Sequence, residues 1–260
     1  MVRYFFKIWY FSCFLFLAGN IGFGMRASAS SFLTSNLAGT WDYHMLVSGD
    51  SPQWTGWIYG SWNVGTNGVA SWTSITRSDG DSALPPDSQI AVSSTGVIMA
   101  PGTDFHGVIN AGKDMIVGTM TDGGGGYSLH IYSKRFEASY ETSDLAGTWN
   151  SHMLLSGDSP QWMGWTYGSW NVGTNGVASW TSITRSDGDS ALPPDSQMAV
   201  SSTGVITAPG TNFHGVMNTG KDMIVGTMTD GGGGYNLLMF IKHQRMNSFI
   251  PQMLLLLLGH

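Results

Sequence analysis

Residues 37–127, which open with LAGTWDYHML and close with VGTMTDGGGGY, return almost unchanged as residues 145–235. The offset between the copies is 108 residues, the difference between positions 145 and 37, and it is constant from one end to the other. A repeat of this length is a whole small domain rather than one turn of a solenoid. The sequence therefore predicts two tandem modules of about 100 residues each.

Each copy has the pattern of an all-β meander. Gly, Ser and Thr are abundant, only 11% of residues are charged, and short alternating runs are separated by turn-forming clusters. Asn67-Gly68, between two such runs, is a hairpin signal. The predicted strands lie at 39–48, 54–64, 69–77, 89–93, 97–100, 105–110, 115–121 and 127–134. About eight strands with hairpin-length connections predict an antiparallel, barrel-like module, and a β-sandwich is the alternative.

The repeat also sets the domain boundaries. The first module is predicted at 36–134 and the second at 144–242, with a polar linker at 135–143 between them. The linker is too short to hold a domain of its own. Residues 243–260 depart from the repeat and carry a short Leu-rich run, so we predict a disordered C-terminal tail.

The first 29 residues have the three parts of a secretory signal peptide. A basic start with Arg3 and Lys7 precedes an apolar run that is too short to span a bilayer, and Ala27-Ser28-Ala29 provides a cleavage site. Cleavage would remove Cys13, the only cysteine of the chain, and leave a mature protein without disulfides. We expect a bacterial protein that is secreted, either extracellular or periplasmic, with no integral membrane segment after cleavage.

The charge balance excludes one class of partner. The chain has 11 Lys and Arg against 17 Asp and Glu, which gives a net charge of −6. No cluster of basic residues interrupts this acidic composition. Because such a surface repels phosphate groups, we expect no nucleic-acid partner.

The opening of each copy resembles a known family motif. LAGTW at 37–41 and at 145–149 resembles the G-x-W signature that opens calycin barrels, the lipocalin-like and avidin-like families. The resemblance implies a first-strand Trp that closes one end of the barrel, covered by a basic residue from the last strand. Lys134 or Arg135, and Lys242, hold the matching positions. The modules also look like uncharacterised tandem β-repeat domains of secreted bacterial proteins, a resemblance that implies no ligand.

Catalysis is not predicted. The G-D-S triplets at 49–51 and 157–159 echo a block of a hydrolase family, but a proline follows each, no helix is readable and the later D-x-x-H of that family is missing. A nucleophilic Ser needs a positioned His and acid. His44 and His106, with their counterparts in the second copy, do not complete a zinc site and are expected to be structural.

Acidic side chains on the longest irregular segment, SDGDSALPPDS, make Ca²⁺ a candidate ligand. The candidate metal ligands are Asp79, Asp81 and Asp87 in the first copy and Asp187, Asp189 and Asp195 in the second. Ca²⁺ prefers carboxylate oxygens, but the segment lacks the alternation and terminal Glu of an EF-hand. Asp-Gly pairs are also common in ordinary turns, and no other cofactor is predicted.

Aromatic residues give the best candidate binding site. Trp57 and Tyr59 alternate with Trp54 and Trp62 along the second strand, so the two pairs lie on opposite faces of the sheet. Only one face can fill the core, and the other is exposed or lines a cavity. The candidate ligand-binding residues are Trp54, Trp57, Tyr59, Trp162, Trp165 and Tyr167. Simple core packing is the alternative role for these rings.

Together these features predict a non-catalytic binding or cell-surface interaction protein. Exposed rings suit a polysaccharide, and two near-identical sites would gain avidity on a repeating polymer. Rings inside a barrel suit a small hydrophobic ligand, so a carrier is the alternative function. A purely structural repeat is the second alternative.

Overall fold

The structure, a computed structural model, describes residues 31–48, 55–121, 126–136, 138–157 and 163–243. The predicted signal peptide and the tail from residue 244 onward lie outside the described residues. So do Ser51 and Ser159 of the G-D-S triplets, and the candidate binding residues Trp54 and Trp162. Within the described part of the chain, no helix has the length and apolar character needed to cross a membrane.

The first module is a single antiparallel sheet of nine strands. The strands are β1 (Gly39–Ser48), β2 (Gly56–Val64), β3 (Val69–Arg77), β4 (Ser88–Gln89), β5 (Ala91–Val92), β6 (Val97–Met99), β7 (His106–Ile109), β8 (Met115–Thr121) and β9 (Tyr127–Lys134). Their spatial order is β4-β3-β2-β1-β9-β8-β7-β6-β5. Since β4 and β5 are consecutive in the chain, the two edges of the sheet meet and the barrel is nearly closed.

The second module repeats this arrangement in the order β13-β12-β11-β10-β18-β17-β16-β15-β14. Its strands are β10 (Gly147–Ser156), β11 (Gly164–Val172), β12 (Val177–Arg185), β13 (Ser196–Gln197), β14 (Ala199–Val200), β15 (Val205–Thr207), β16 (His214–Met217), β17 (Met223–Thr229) and β18 (Tyr235–Lys242). A 3-10 helix precedes each module, at Thr34–Leu37 and at Thr142–Leu145. The prediction of two tandem, antiparallel, barrel-like modules is confirmed.

Each module has one strand more than the sequence pattern predicts. The predicted run at 89–93 is divided at Ile90 into the two-residue strands β4 and β5. The Ile90 N–H donates to the carbonyl of Gly68 at 2.9 Å, and its side chain is buried in the core. The chain therefore passes from one edge of the sheet to the other at this residue, which closes the barrel.

The Asn67-Gly68 turn between β2 and β3 forms as predicted. Gly68 has φ +83°, a left-handed conformation that favours glycine, and its N–H donates to the carbonyl of Gly65 at 2.9 Å. A Cβ at Gly68 would lie 2.2 Å from the Ile90 oxygen. A side chain is thus excluded both by the backbone angle and by the contact that closes the barrel.

Trp41 lies at one end of the first barrel and is completely buried. Its Nε1–H donates to the Leu37 carbonyl at 2.7 Å, and Lys134 Nζ lies 5.4 Å from its ring centroid. Trp149 and Lys242 repeat the contact in the second module at 5.3 Å. This is the arrangement that the calycin resemblance implied, with Lys134 rather than Arg135 over the ring. Arg135 forms an ion pair with Asp42 instead.

Candidate functional site

The candidate residues of β2 lie on the outer surface of the first barrel. Trp57 and Tyr59 are stacked, with ring centroids 5.5 Å apart and planes inclined by 15°. Leu46 and His44 of β1 lie directly opposite them in the strand register. These four side chains form the aromatic face of module 1. The aromatic face of module 2 consists of the corresponding residues His152, Leu154, Trp165 and Tyr167.

The aromatic face of module 1 is covered by module 2. Trp57 is only 6% exposed, and its Nε1–H donates to Thr229 Oγ1 at 2.8 Å. The Tyr59 ring lies parallel to the His214 ring, with centroids 3.7 Å apart. Leu46 packs in an apolar cluster with residues of β17 and β18. A ligand in solvent has no access to Trp57.

The aromatic face of module 2 is open to solvent. Trp165 is 47% exposed, although its ring stacks on Tyr167 with the same 15° inclination found in module 1. Leu154 beside it is also exposed. The sequence predicts two equivalent aromatic sites, and the structure leaves only the second accessible. The cause is the contact between the modules, because the side chains themselves are identical.

Two histidines meet at the contact between the modules. The rings of His44 and His214 are 5.3 Å apart, and His44 Nδ1 lies 3.3 Å from Thr227 Oγ1. Neither His44 Nε2 nor His214 Nδ1 has a hydrogen-bond partner among the described residues. Burial lowers the pKa of His214 from 6.5 to about 4, and burial followed by the charge of His214 lowers the pKa of His44 well below 6.5. Both rings are therefore neutral at pH 7.

The interior of module 1 is filled with aromatic and polar side chains. The Tyr43 ring stacks on Tyr132 at 5.0 Å and meets the Trp72 ring edge-on at 5.1 Å. His130 Nε2 lies 2.7 Å from Ser128 Oγ, and His130 Nδ1 lies 3.2 Å from the Tyr132 hydroxyl. Burial lowers the pKa of His130 to about 4 and raises the pKa of Tyr132 above its usual value. These side chains leave little room for a ligand.

The interior of module 2 contains a cavity of about 970 Å³. Ser151 stands where module 1 has Tyr43, so the ring that packs against Trp72 has no counterpart beside Trp180. The cavity is lined inside the barrel by Met153, Leu155, Thr166, Trp180, Ile183, Met228 and Asn236, and it also borders Gly164 and the predicted site residue Trp165 on β11. At its mouth lie Arg185, Asp187, Asp189, Asp230 and Gly231. The cavity is mainly apolar inside and polar at the rim.

Asn236 supplies the polar group inside this cavity. Its side chain is 1% exposed, and its Nδ2 lies 3.4 Å from the Gly234 carbonyl. Its Oδ1 has no hydrogen-bond partner among the described residues. A buried amide oxygen without a partner costs roughly 1–3 kcal/mol. A ligand with an N–H or O–H group would remove that cost.

The candidate metal ligands stabilise loops. Asp79 Oδ1 accepts from the Asp81 N–H at 2.9 Å, and Asp81 in turn accepts from the Ala83 N–H and pairs with Arg77. Asp187 and Asp189 repeat these contacts, while Asp87 and Asp195 are exposed. In the described ranges, no group of three or more His, Cys, Asp or Glu residues is placed to hold a metal ion. The Ca²⁺ site stays a prediction without support from geometry.

Sequence reasoning did not find Ser151 and Asn236 as site residues. Both positions differ between the copies, where module 1 has Tyr43 and Ser128. Both lie at inward positions of their strands, where Ser151 is paired with Phe240, and Asn236 lines the cavity. The sequence did carry a signal for the cavity, namely a difference between the copies at an inward position. Replacing the ring of Tyr43 by the hydroxymethyl group of Ser151 leaves more space inside the second barrel.

Comparison with known proteins gives a distant structural likeness. No protein-family model matches the sequence, and no curated protein matches it. A protein of unknown function of the DUF3598 family from Nostoc punctiforme aligns over 84% of this chain and 100% of its own, with 10% identity and a TM-score of 0.30. Transferrin binding protein B from Neisseria meningitidis aligns over 79% of this chain, with 10% identity and a TM-score of 0.34. Burkholderia oklahomensis agglutinin aligns over 84% of this chain and 99% of its own, with 13% identity and a TM-score of 0.19.

The chain spans 44% of the transferrin binding protein that it matches. All these TM-scores are below 0.5.

Proposed function

We propose that the protein is a non-catalytic binding protein that holds a small, mainly apolar ligand inside module 2. The observation that carries the proposal is the cavity of about 970 Å³ with the unpartnered Asn236 Oδ1 in its wall. Ligand sites are typically concave, roughly 300–1,000 Å³ in volume, and lined by apolar side chains with a few placed polar groups. We also propose that the protein acts outside the cytoplasm, in accord with the predicted signal peptide.

The proposed ligand has an apolar body and one hydrogen-bond donor. Met153, Ile183 and Met228 offer apolar contacts, and the two methionines adapt to irregular shapes. Asn236 Oδ1 accepts a hydrogen bond and so fixes the orientation of the ligand. Module 1 is not proposed as a second site, because Tyr43 and His130 occupy the corresponding interior.

A fluorescent probe of matching chemistry tests the proposal. N-phenyl-1-naphthylamine is apolar and carries one N–H group, and we expect it to bind with saturation at one site per chain. Ser151→Tyr restores the ring that packs on Trp72 in module 1, and beside the cavity residue Trp180 this ring should take up cavity space and weaken binding at least about tenfold. Asn236→Leu removes the acceptor and should weaken binding roughly five- to thirtyfold.

The matched control is Tyr43→Ser, the reverse exchange in module 1. Since Tyr43 lies in the other barrel, the affinity of the module 2 site should not change. Far-UV and near-UV circular dichroism would establish that each variant is folded. Absence of saturable binding to the unmodified protein, or an affinity of Ser151→Tyr and Asn236→Leu equal to that of the unmodified protein, would disprove the proposed site.

A polysaccharide is the second candidate ligand, and the open aromatic face of module 2 is the observation that favours it. Trp165 and Tyr167 form an exposed pair of stacked, nearly parallel rings, and the flat apolar side of a sugar could pack against them. Under this alternative, soluble glycans quench Trp fluorescence, Tyr167→Ala, a change on the aromatic face outside the cavity lining, abolishes the effect, and Ser151→Tyr leaves it intact. The opposite dependence on these two variants supports the ligand inside the barrel.

A further inference from the structure

The polar groups of the module 2 cavity lie at one end of the barrel. Trp149, which is 1% exposed, lies near the start of β10, and the cavity residue Leu155 lies six residues further along the same strand. At about 3.3 Å per residue, these two levels of the barrel are about 20 Å apart. Asn236 is paired with both Leu155 and Met228 in the strand register. The unpartnered amide oxygen of Asn236 is therefore close to the mouth and far from the end that Trp149 closes.

The mouth carries an excess of negative charge. Arg185, Asp187, Asp189 and Asp230 line it, and one guanidinium with three carboxylates gives a net charge of −2. Arg185 forms an ion pair with Asp189. Among the described residues that line the cavity, no second basic side chain is present to balance Asp187 and Asp230. The mouth therefore favours a positively charged group.

The carboxylates of Asp187 and Asp230 are held in place by the backbone. Asp187 Oδ1 accepts from the Asp189 N–H at 2.9 Å. Asp230 Oδ1 accepts from the N–H groups of Gly232 and Gly234, each at 2.9 Å. The carbonyl of Gly234 lies 3.4 Å from Asn236 Nδ2, so the same turn positions the Asp230 carboxylate and the Asn236 amide. The charged mouth and the buried acceptor thus form one polar end of the cavity.

We propose that the ligand of this cavity is an amphiphile with a positively charged group at one end, such as an alkylammonium ion. This inference rests on the proposed function, because it assigns the head group of the ligand that module 2 holds. The alkyl chain would lie between Met153 and Ile183, inside the barrel. The ammonium group has three N–H donors, one for Asn236 Oδ1 and two for the carboxylates of Asp187 and Asp230. A carboxylate head group would instead meet like charges at the mouth.

Three amphiphiles of equal chain length test the charge of the head group. Octylammonium, octan-1-ol and octanoate are each titrated against N-phenyl-1-naphthylamine bound to the unmodified protein, in a buffer of low ionic strength at neutral pH. We expect octylammonium to displace the probe at a concentration at least about tenfold lower than octanoate, with octan-1-ol between them. The preference should shrink in about 0.5 M NaCl, because salt screens charges at an open mouth.

Two substitutions remove a charge and keep the oxygen that accepts from the backbone. Asp187→Asn and Asp230→Asn should each weaken octylammonium binding roughly three- to tenfold and leave octan-1-ol binding unchanged. The matched control is Asp79→Asn, since Asp79 has the same position in module 1 and accepts from the Asp81 N–H in the same way. This control removes the same charge from the other module, so the octylammonium affinity should not change. An unchanged affinity for the naphthylamine probe shows that each variant keeps the cavity.

The outcomes separate this inference from the proposed function. Saturable binding of the probe without a preference for octylammonium over octanoate would overturn the assignment of the head group and leave the apolar site in place. A preference for octanoate would also overturn it and would indicate that Arg185 binds the head group. An equal loss in Asp187→Asn and Asp79→Asn would show that the preference comes from the net charge of the chain. If the probe does not bind and calorimetry detects no binding of octylammonium, both proposals are wrong.

Discussion

Replacing Trp57 by Ala should lower the free energy of unfolding by about 3–5 kcal/mol, whereas Trp165→Ala should lower it by no more than about 1 kcal/mol. The two residues occupy the same position in strand segments that differ only at Ile58 and Thr166, and they have the same stacked Tyr neighbour. They differ in exposure, 6% against 47%, and only Trp57 donates to a Thr of the other module. The difference in cost therefore measures the contact between the modules.

Urea unfolding of the two variants and the unmodified protein measures this difference. Trp57→Phe is a useful intermediate, because it keeps an apolar ring but loses the hydrogen bond to Thr229. Its cost should lie between those of the two Ala variants. Equal costs for Trp57→Ala and Trp165→Ala would mean that the aromatic face of module 1 is not buried by module 2 in solution.

The barrel itself was largely predictable from local sequence. Alternating runs predicted the strands. Asn67-Gly68 predicted the turn between β2 and β3, in which Gly68 has a positive φ. The G-x-W resemblance led to the Trp41 and Lys134 contact. The separation of β4 from β5 was not predictable, since two-residue strands carry no alternation, and Ile90 is placed by the hydrogen bond that its N–H donates to the carbonyl of Gly68 in a distant turn.

The candidate site was predictable only in part. The strand pattern placed Trp57 and Tyr59 on the face opposite to Trp62. Because this pattern is the same in both copies, it predicted the same exposure for both aromatic faces. Which aromatic face is covered depends on how the modules pack, and the residues that cover Trp57, such as Thr229, are the same in both copies. The cavity depends on differences in side-chain volume between the two copies at inward positions. The largest of these differences is Tyr43 in module 1 against Ser151 in module 2.

Acid should destabilise the protein before its carboxylates titrate, because buried histidines must take up protons. His130 and His214 have pKa values of about 4 in the folded protein, against 6.5 in an exposed state. Between these values the unfolded chain binds more protons than the folded one, so stability is complete above about pH 6.5 and falls as the pH falls toward 4. Each of the two should contribute a loss of about 2 kcal/mol between pH 7 and pH 5.

The two histidines lie in different places, and variants separate their contributions. His130 is replaced in module 2 by Leu238, and its partner Tyr132 by Phe240. The double change His130→Leu with Tyr132→Phe therefore gives module 1 the residues that module 2 has at these positions, and it should remove about 2 kcal/mol of the loss between pH 7 and pH 5. Urea unfolding at pH 7 and pH 5 measures it, with Leu238→His as the converse variant that should increase it.

The His44 and His214 pair should make the contact between the modules the part of the molecule most sensitive to acid. Burial lowers the pKa of both, and their rings are too close for both to be charged. The charged groups around them are Asp42, which favours protonation of His214, and Arg135, which opposes it and pairs with Asp42. Tyr59 stacks on the His214 ring. His214→Gln should therefore reduce the pH dependence of the free energy of unfolding. At pH 5, Trp57 should become accessible to a soluble quencher in the unmodified protein. In His214→Gln it should remain shielded at the same pH. If Trp57 is equally shielded in both at pH 5, the histidine pair does not control the contact.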